Sequence, residues 1–233
     1  MKHKRWLPLF LIVAMMAGML CMNAIAEDAE ITDLLPDLAG TYVELFPVMN
    51  APEYDALWLE HCAAVAGEED AAMYAEMLKA ACTGTLYGEE AIAAYTNPED
   101  ALFNCDFLQD IDTFTIEGNT ITGLAADGST VFSHAYKFVG ELASTDEDFV
   151  FALYESEDAD AGEFTYFAFA PNLPSETYHI EFRHGDSTED LAAFYSGKYA
   201  YWLAAGILSD NIATDAPLAI ELFCTENLGA EAE

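Results

Sequence analysis

The chain has 233 residues, room for one ordinary domain with a short appendage. Its 42 acidic residues stand against seven basic ones, a formal net charge of −35. Such a surface repels phosphate backbones and excludes direct nucleic-acid binding, while it keeps an exported chain soluble and draws cations at low salt.

Met1 to Ala26 reads as a secretory signal peptide. Lys2, Lys4 and Arg5 form its basic start, Trp6 to Cys21 its apolar core, and Ala24-Ile25-Ala26 a small-residue cleavage site. Pro8 and Gly18 interrupt the apolar run, which argues against a permanent membrane helix. Leu20 stands before Cys21 where a lipoprotein signal wants a small residue, so a lipid anchor is not expected. The expected location is therefore extracytoplasmic, secreted or periplasmic. No acid precedes Glu27, so the mature part carries 42 acids against Lys79, Lys137, Arg183 and Lys198, a net of −38. Hydrophobic residues make up 53% of the chain, so a sizeable core can still be buried.

Residues 27–37 read as an acidic, mobile lead-in. Gly40 to Leu45 predicts a first strand stopped at Pro47. Pro52 opens a helix through Ala66, with Tyr54, Leu57, Trp58 and Val65 at helical spacing. Glu68-Glu69-Asp70 starts a second helix that runs to about Cys82. Its methionines read as core packing rather than a cofactor site. A short helix over Glu89 to Tyr95 and a turn at Asn97 to Asp100 follow.

From there the pattern alternates. Ile111 to Ile116 and Thr120 to Leu124 predict a hairpin across Glu117-Gly118-Asn119. Strands follow over Val131 to Val139, Phe149 to Tyr154, Phe164 to Phe169 and Thr177 to Arg183. They succeed one another directly, as in an antiparallel meander, which predicts a closed or nearly closed barrel. Ser187 to Tyr195 predicts a helix, Gly197 to Trp202 an aromatic cover, and Asn211 to Thr225 a last helix disturbed by Pro217. The expected class is mainly β with helices: a barrel, an N-terminal helical pair and C-terminal helices.

In this order the chain resembles the ZinT (YodA) family of exported zinc-binding domains. The likeness rests on Gly40-Thr41-Tyr42, two helices, Ile116-Glu117-Gly118-Asn119-Thr120-Ile121, the meander, and Tyr178-His179-Ile180-Glu181-Phe182 followed by Gly185-Asp186-Ser187. It implies a calycin or lipocalin-like barrel over residues 38–228 with a metal site inside one end. It also implies a role in supplying or buffering zinc, since the domain is fused to some bacterial zinc-uptake binding proteins. The family's His-Phe-His-Ile strand aligns with Thr177-Tyr178-His179-Ile180, and its Ser-Asp-His segment with about Ala170-Pro171-Asn172. His179 is the histidine that carries over.

The mature histidines are His61, His134, His179 and His184. His134 shares a strand face with Phe132, Tyr136 and Phe138, an inward-looking row. His179 and Glu181 lie two apart, on one face and about 7 Å apart along the strand. If that face is interior, His134, His179 and Glu181 meet as ligands, or Glu181 orients an imidazole from behind. Zinc is the expected ion, with another divalent transition metal as the alternative. Each residue has a plainer reading too: His134 as a hydrogen-bonded core histidine, Glu181 as a partner of Arg183, His61 and His184 as solvated side chains.

Four cysteines remain after the leader, Cys62, Cys82, Cys105 and Cys224, and allow three pairings. Adjacent predicted helices favour Cys62 with Cys82, leaving Cys105 with Cys224. No C-x-x-C spacing supports a four-cysteine zinc site, and Glu155 to Asp160 lacks the glycine and terminal glutamate of an EF-hand loop. No hydrolase, zinc-protease, phosphate-loop or dinucleotide motif is present, so the chain is not expected to be an enzyme. The expected partners are a divalent ion and a metal-uptake protein or transporter. The alternative is a barrel without a metal, holding a small apolar ligand or acting as an acidic interaction module.

Overall fold

A computed structural model describes residues 31–81, 108, 110–144, 150–194 and 203–229. The expected signal peptide, the helix over 89–95, the turn over 97–100, the aromatic run 197–202, Cys82 and Cys105 lie outside these residues.

Eight strands make the body of the protein: β1 (Gly40–Glu44), β2 (Thr113–Glu117), β3 (Thr120–Leu124), β4 (Thr130–Ala143), β5 (Val150–Ser156), β6 (Tyr166–Phe169), β7 (Ile180–Gly185) and β8 (Ala204–Leu208). Each pairs antiparallel with the next, and β8 returns to β1 to close the barrel. Closure removes the exposed edges that an open sheet would carry. The expected barrel is present, and β8, which the alternation did not show, is the strand that closes it.

Period-two alternation accounts for the interior. Phe114 and Ile116 of β2, Phe132 and Tyr136 of β4, Tyr154 of β5, Phe167 and Phe169 of β6, and Ile180 and Phe182 of β7 form one buried cluster. The Phe114 and Phe182 rings stack with centroids 4.9 Å apart. A Cβ added at Gly123 would stand 2.5 Å from the Phe132 ring, so only glycine admits that ring. A bulge between Phe138 and Gly140, where Gly140 has φ 122°, lets the 14-residue β4 bend around the wall.

The stretch expected to be mobile is packed from Ile31 onward. Leu35 and Leu38 are buried in the interior cluster. The Tyr154 hydroxyl donates to Asp33 Oδ1 at 2.9 Å and accepts the backbone N–H of Leu34 at 2.6 Å. Buried apolar side chains and the Asp33 carboxylate together decide where this segment goes.

Helices cover the outside of the wall. They are α1 (Leu45–Met49), α2 (Asp55–Ala66), α3 (Ala71–Ala81), α4 (Pro174–Thr177), α5 (Thr188–Phe194) and α6 (Ile212–Leu228). Pro47 does not stop β1, which already ends at Glu44. It sits in the first turn of α1, where a missing N–H costs nothing. Pro217 lies in the second turn of α6, where only the carbonyl of exposed Ala213 loses its partner. A second core joins Phe46, Trp58, Cys62, Ile220, Phe223 and Cys224 to Ala205 and Ile207 on the outer face of β8. Trp58 Nε1 donates to the Met49 carbonyl at 2.8 Å, satisfying the indole where it is buried.

Candidate metal centre

The strand expected over Thr177 to Arg183 starts three residues late. Pro174–Thr177 forms α4, a single turn with proline in its first position, and Tyr178 leaves it in the left-handed conformation at φ 68°. β7 then begins at Ile180. Ile180 and Phe182 join the interior cluster, so by alternation Glu181 and Arg183 face the outer side of the wall. His179 lies on that outer side with Glu181. This corrects the expected placement of His179 and Glu181 inside the barrel. The apolar row takes an interior already lined by rings, and the polar row is left to the cover.

That polar row is nonetheless buried. His179 and Glu181 are each 1% exposed, and Thr177, Asn172 and Arg183 are buried with them. His179 Nδ1 donates to the Thr177 carbonyl at 2.6 Å. That bond directs Nε2 at Glu181 Oε1, 3.8 Å away. The separation is too long for a hydrogen bond, and neither atom has a hydrogen-bond partner among the described residues. The other oxygen, Oε2, accepts from Asn172 Nδ2 at 2.7 Å. Burial opposes charge on His179, but the groups around it, the neighbouring Glu181 carboxylate foremost, together outweigh it and hold the imidazole above its ordinary value. The Thr177 carbonyl and the charge of Glu226 on α6 act in the same direction.

His134 is elsewhere. The register carries Phe182 to Phe169, Ala152 and Glu141 at one end of the barrel, and Gly185 to Tyr166, Glu155 and Lys137 at the other. His179 precedes Phe182 and His134 precedes Lys137, so the two histidines sit at opposite ends. The shared chamber expected for them is not formed. His134 Nδ1, itself mostly buried, instead pairs at the mouth with the exposed Asp158 Oδ2 at 2.8 Å. The expectation that His134 looks inward beside Phe132 holds for the face it occupies, with ring centroids 6.1 Å apart.

His184, expected in solvent, belongs to the interior row of β7. Its ring lies 5.1 Å from Phe164 and 5.7 Å from Phe167, and Nδ1 donates to the Glu163 carbonyl at 3.0 Å. Burial lowers its pKa below the ordinary value, against the partial support of that carbonyl.

No protein-family model and no curated protein matches the sequence. Solved structures do match. The Zn(II)-bound ZinT-like domain of Streptococcus pneumoniae AdcA aligns with TM-score 0.53 and 21% identity, over 84% of this chain and 93% of that domain. Zn(II)-bound AdcA from the same organism aligns with TM-score 0.50 and 21% identity, over 84% of this chain and 37% of AdcA. The fold is that of a ZinT-like domain. In that fold, the segment that the family likeness aligns with a third histidine brings Asn172 against Glu181. Spacing along the strand could not reveal Asn172, because α4 turns the chain back on itself before β7 begins.

Among the described residues, no group of three or more His, Cys, Asp or Glu side chains is placed to hold a metal ion. His179 and Glu181 offer two donor atoms of the kinds zinc takes, nitrogen and carboxylate oxygen. Two zinc bonds sum to about 4.2 Å, so atoms 3.8 Å apart can share a cation at a bent angle. Cys62 and Cys224 are both buried, and their sulfurs face each other at 3.7 Å. The favoured pairings, Cys62 with Cys82 and Cys105 with Cys224, each involve a residue outside the described ones.

Proposed function

We propose that the chain is an exported zinc-binding protein that captures or buffers zinc and passes it to an uptake system, without catalysing a reaction. One observation carries this reading: His179 Nε2 and Glu181 Oε1 are buried, aimed at each other and without hydrogen-bond partners among the described residues. Buried polar atoms are normally paired, and an unpaired carboxylate oxygen is costly. A divalent cation between them would satisfy both. The Thr177 carbonyl and the Asn172 amide orient the two donors from behind, as outer partners do in metal sites.

Zinc is favoured because the fold is that of proteins crystallised with Zn(II). Imidazole and carboxylate do not by themselves reject another divalent transition metal. Two protein donors, completed by water, hold an ion loosely, which suits buffering and hand-over better than permanent storage. Export rests on the leader-like start of the sequence. No helix among the described residues is long and apolar enough to cross a membrane. The apolar-ligand alternative loses support because packed aromatic rings occupy the barrel interior.

Isothermal titration of residues 27–233 with zinc, in excess magnesium to occupy the acidic surface, tests the reading. Saturable binding is expected. His179→Ala and Glu181→Gln should each weaken it by roughly 10–100-fold, the scale on which even outer partners of a metal matter, and His134→Ala should leave it unchanged. Zinc binding that is absent, or indifferent to both β7 variants, would sink the proposal and leave His179 and Glu181 as a structural ion pair.

A further inference from the structure

We propose that Cys62 and Cys224 form a disulfide that clamps α2 to α6 when the protein folds in an oxidising compartment. Both side chains are 0% exposed. Their sulfurs stand 3.7 Å apart, against about 2.05 Å in a disulfide, so the bond requires them to approach by about 1.6 Å. The helices that carry them are held in register. Cys62 lies one turn from Trp58 on α2, and Trp58 packs edge-on against Phe223, the neighbour of Cys224, with centroids 5.9 Å apart. Phe223 also meets Phe46 at 6.1 Å.

Two thiols at this spacing could instead be two ligands of a metal. The surroundings argue against that, because no third His, Cys, Asp or Glu among the described residues joins them in a metal-sized group, and the nearest side chains are those of an apolar core. The hydrogen bond to Cys224 lowers the pKa of the Cys62 thiol, against the opposing effect of burial. A lowered thiol pKa favours the thiolate that thiol–disulfide exchange requires.

The oxidant is a second disulfide, either oxidised glutathione or the active disulfide of a thiol oxidase. The Cys62 thiolate attacks one of its sulfurs and expels one thiol, giving a mixed disulfide. The Cys224 thiolate then attacks the Cys62 sulfur and expels the second thiol. Two electrons pass to the oxidant, and the two protons from the cysteines end on the released thiols. Both sulfurs are buried, so the exchange takes place while the chain folds or when α6 opens locally. The bond would join positions 162 residues apart, and long closed loops are where the loss of unfolded-state freedom is largest. With the expected leader and its Cys21 removed, it leaves Cys82 and Cys105 as an even remainder.

The test uses the full chain, exported or refolded in a glutathione redox buffer. It is denatured in N-ethylmaleimide without reductant, digested and analysed by mass spectrometry. A peptide pair joined through Cys62 and Cys224 is expected, with a Tm roughly 5–15 °C above that of the reduced protein. Cys82→Ser with Cys105→Ser should retain both results. Maleimide on Cys62 and Cys224, or Cys62 joined to Cys82, would overturn the proposal. The peptide map of the unsubstituted chain decides the matter even if replacing Cys62 and Cys224 prevents folding. The result is independent of zinc titration, so this proposal and the zinc reading fail separately.

Discussion

His184 on β7 and His179 just before it have pKa values shifted in opposite directions. His184 is held neutral among rings, with its pKa below the ordinary 6.5. As pH falls through about 6.5 the unfolded chain takes up this proton and the folded chain does not. The unfolded state then binds more protons, so stability is lost on acidification until the folded value is passed. His179 has a raised pKa, so its contribution is fully present below 6.5 and is lost as pH rises through that raised value. Because the two oppose each other, a variant comparison is needed to separate them. His184→Gln, which can still donate to the Glu163 carbonyl, should flatten the fall in Tm between about pH 7 and pH 5. An unchanged acid limb would show that the imidazole is not the group responsible. At this scale the sequence singled out His179 and Glu181 by their spacing of two. It could not separate His134 from them, because distance across a barrel depends on register through several strands.

At the scale of elements, the N-terminal segment and β5 depend on a single side chain. The Tyr154 hydroxyl joins Asp33, Leu34 and Leu35 to the interior. Tyr154→Phe keeps the ring, which packs edge-on to Phe169 with centroids 5.8 Å apart, and removes those bonds. Unfolding in urea should show a loss of about 1–3 kcal/mol, the cost of leaving such groups unsatisfied, at unchanged m. A shift within error would mean that the segment is held by its other contacts, such as Leu35 and Leu38 in the cluster and the Ile31 N–H on Glu141. Hairpin β2–β3 was legible because its alternation and its Glu117-Gly118-Asn119 turn are local. The start of β7 was not. Thr177 to Arg183 alternates without a break, yet Pro174 begins a turn and Tyr178 adopts positive φ. Tertiary contacts overrode a local period, as they often do for short segments.

Over the whole molecule, the charge of −35 on the chain is set against a core that buries both rows of β7. Like charges at this density repel one another and destabilise the compact state. Added salt shortens the reach of that repulsion from about 30 Å at 0.01 M to a few ångström near 1 M. Tm should therefore rise between about 0.01 M and 0.5 M sodium chloride, and a fall would mean that the paired charges, such as Lys137 with Glu155 at 2.8 Å, outweigh the excess.

The order of residues by itself determined an acidic chain with a meander of alternating strands, flanking helices and a barrel. These follow from charge and from side-chain periods of two and 3.6, which are properties of neighbours in sequence. Only the tertiary structure decided which row of β7 faces inward, that His134 and His179 stand at opposite ends, and that Cys62 meets Cys224. Both rows of β7 are buried, so hydrophobicity along the strand does not distinguish the inside of the barrel from the space beneath the helices. Closure through β8 and the packing of α6 on the wall settle that choice.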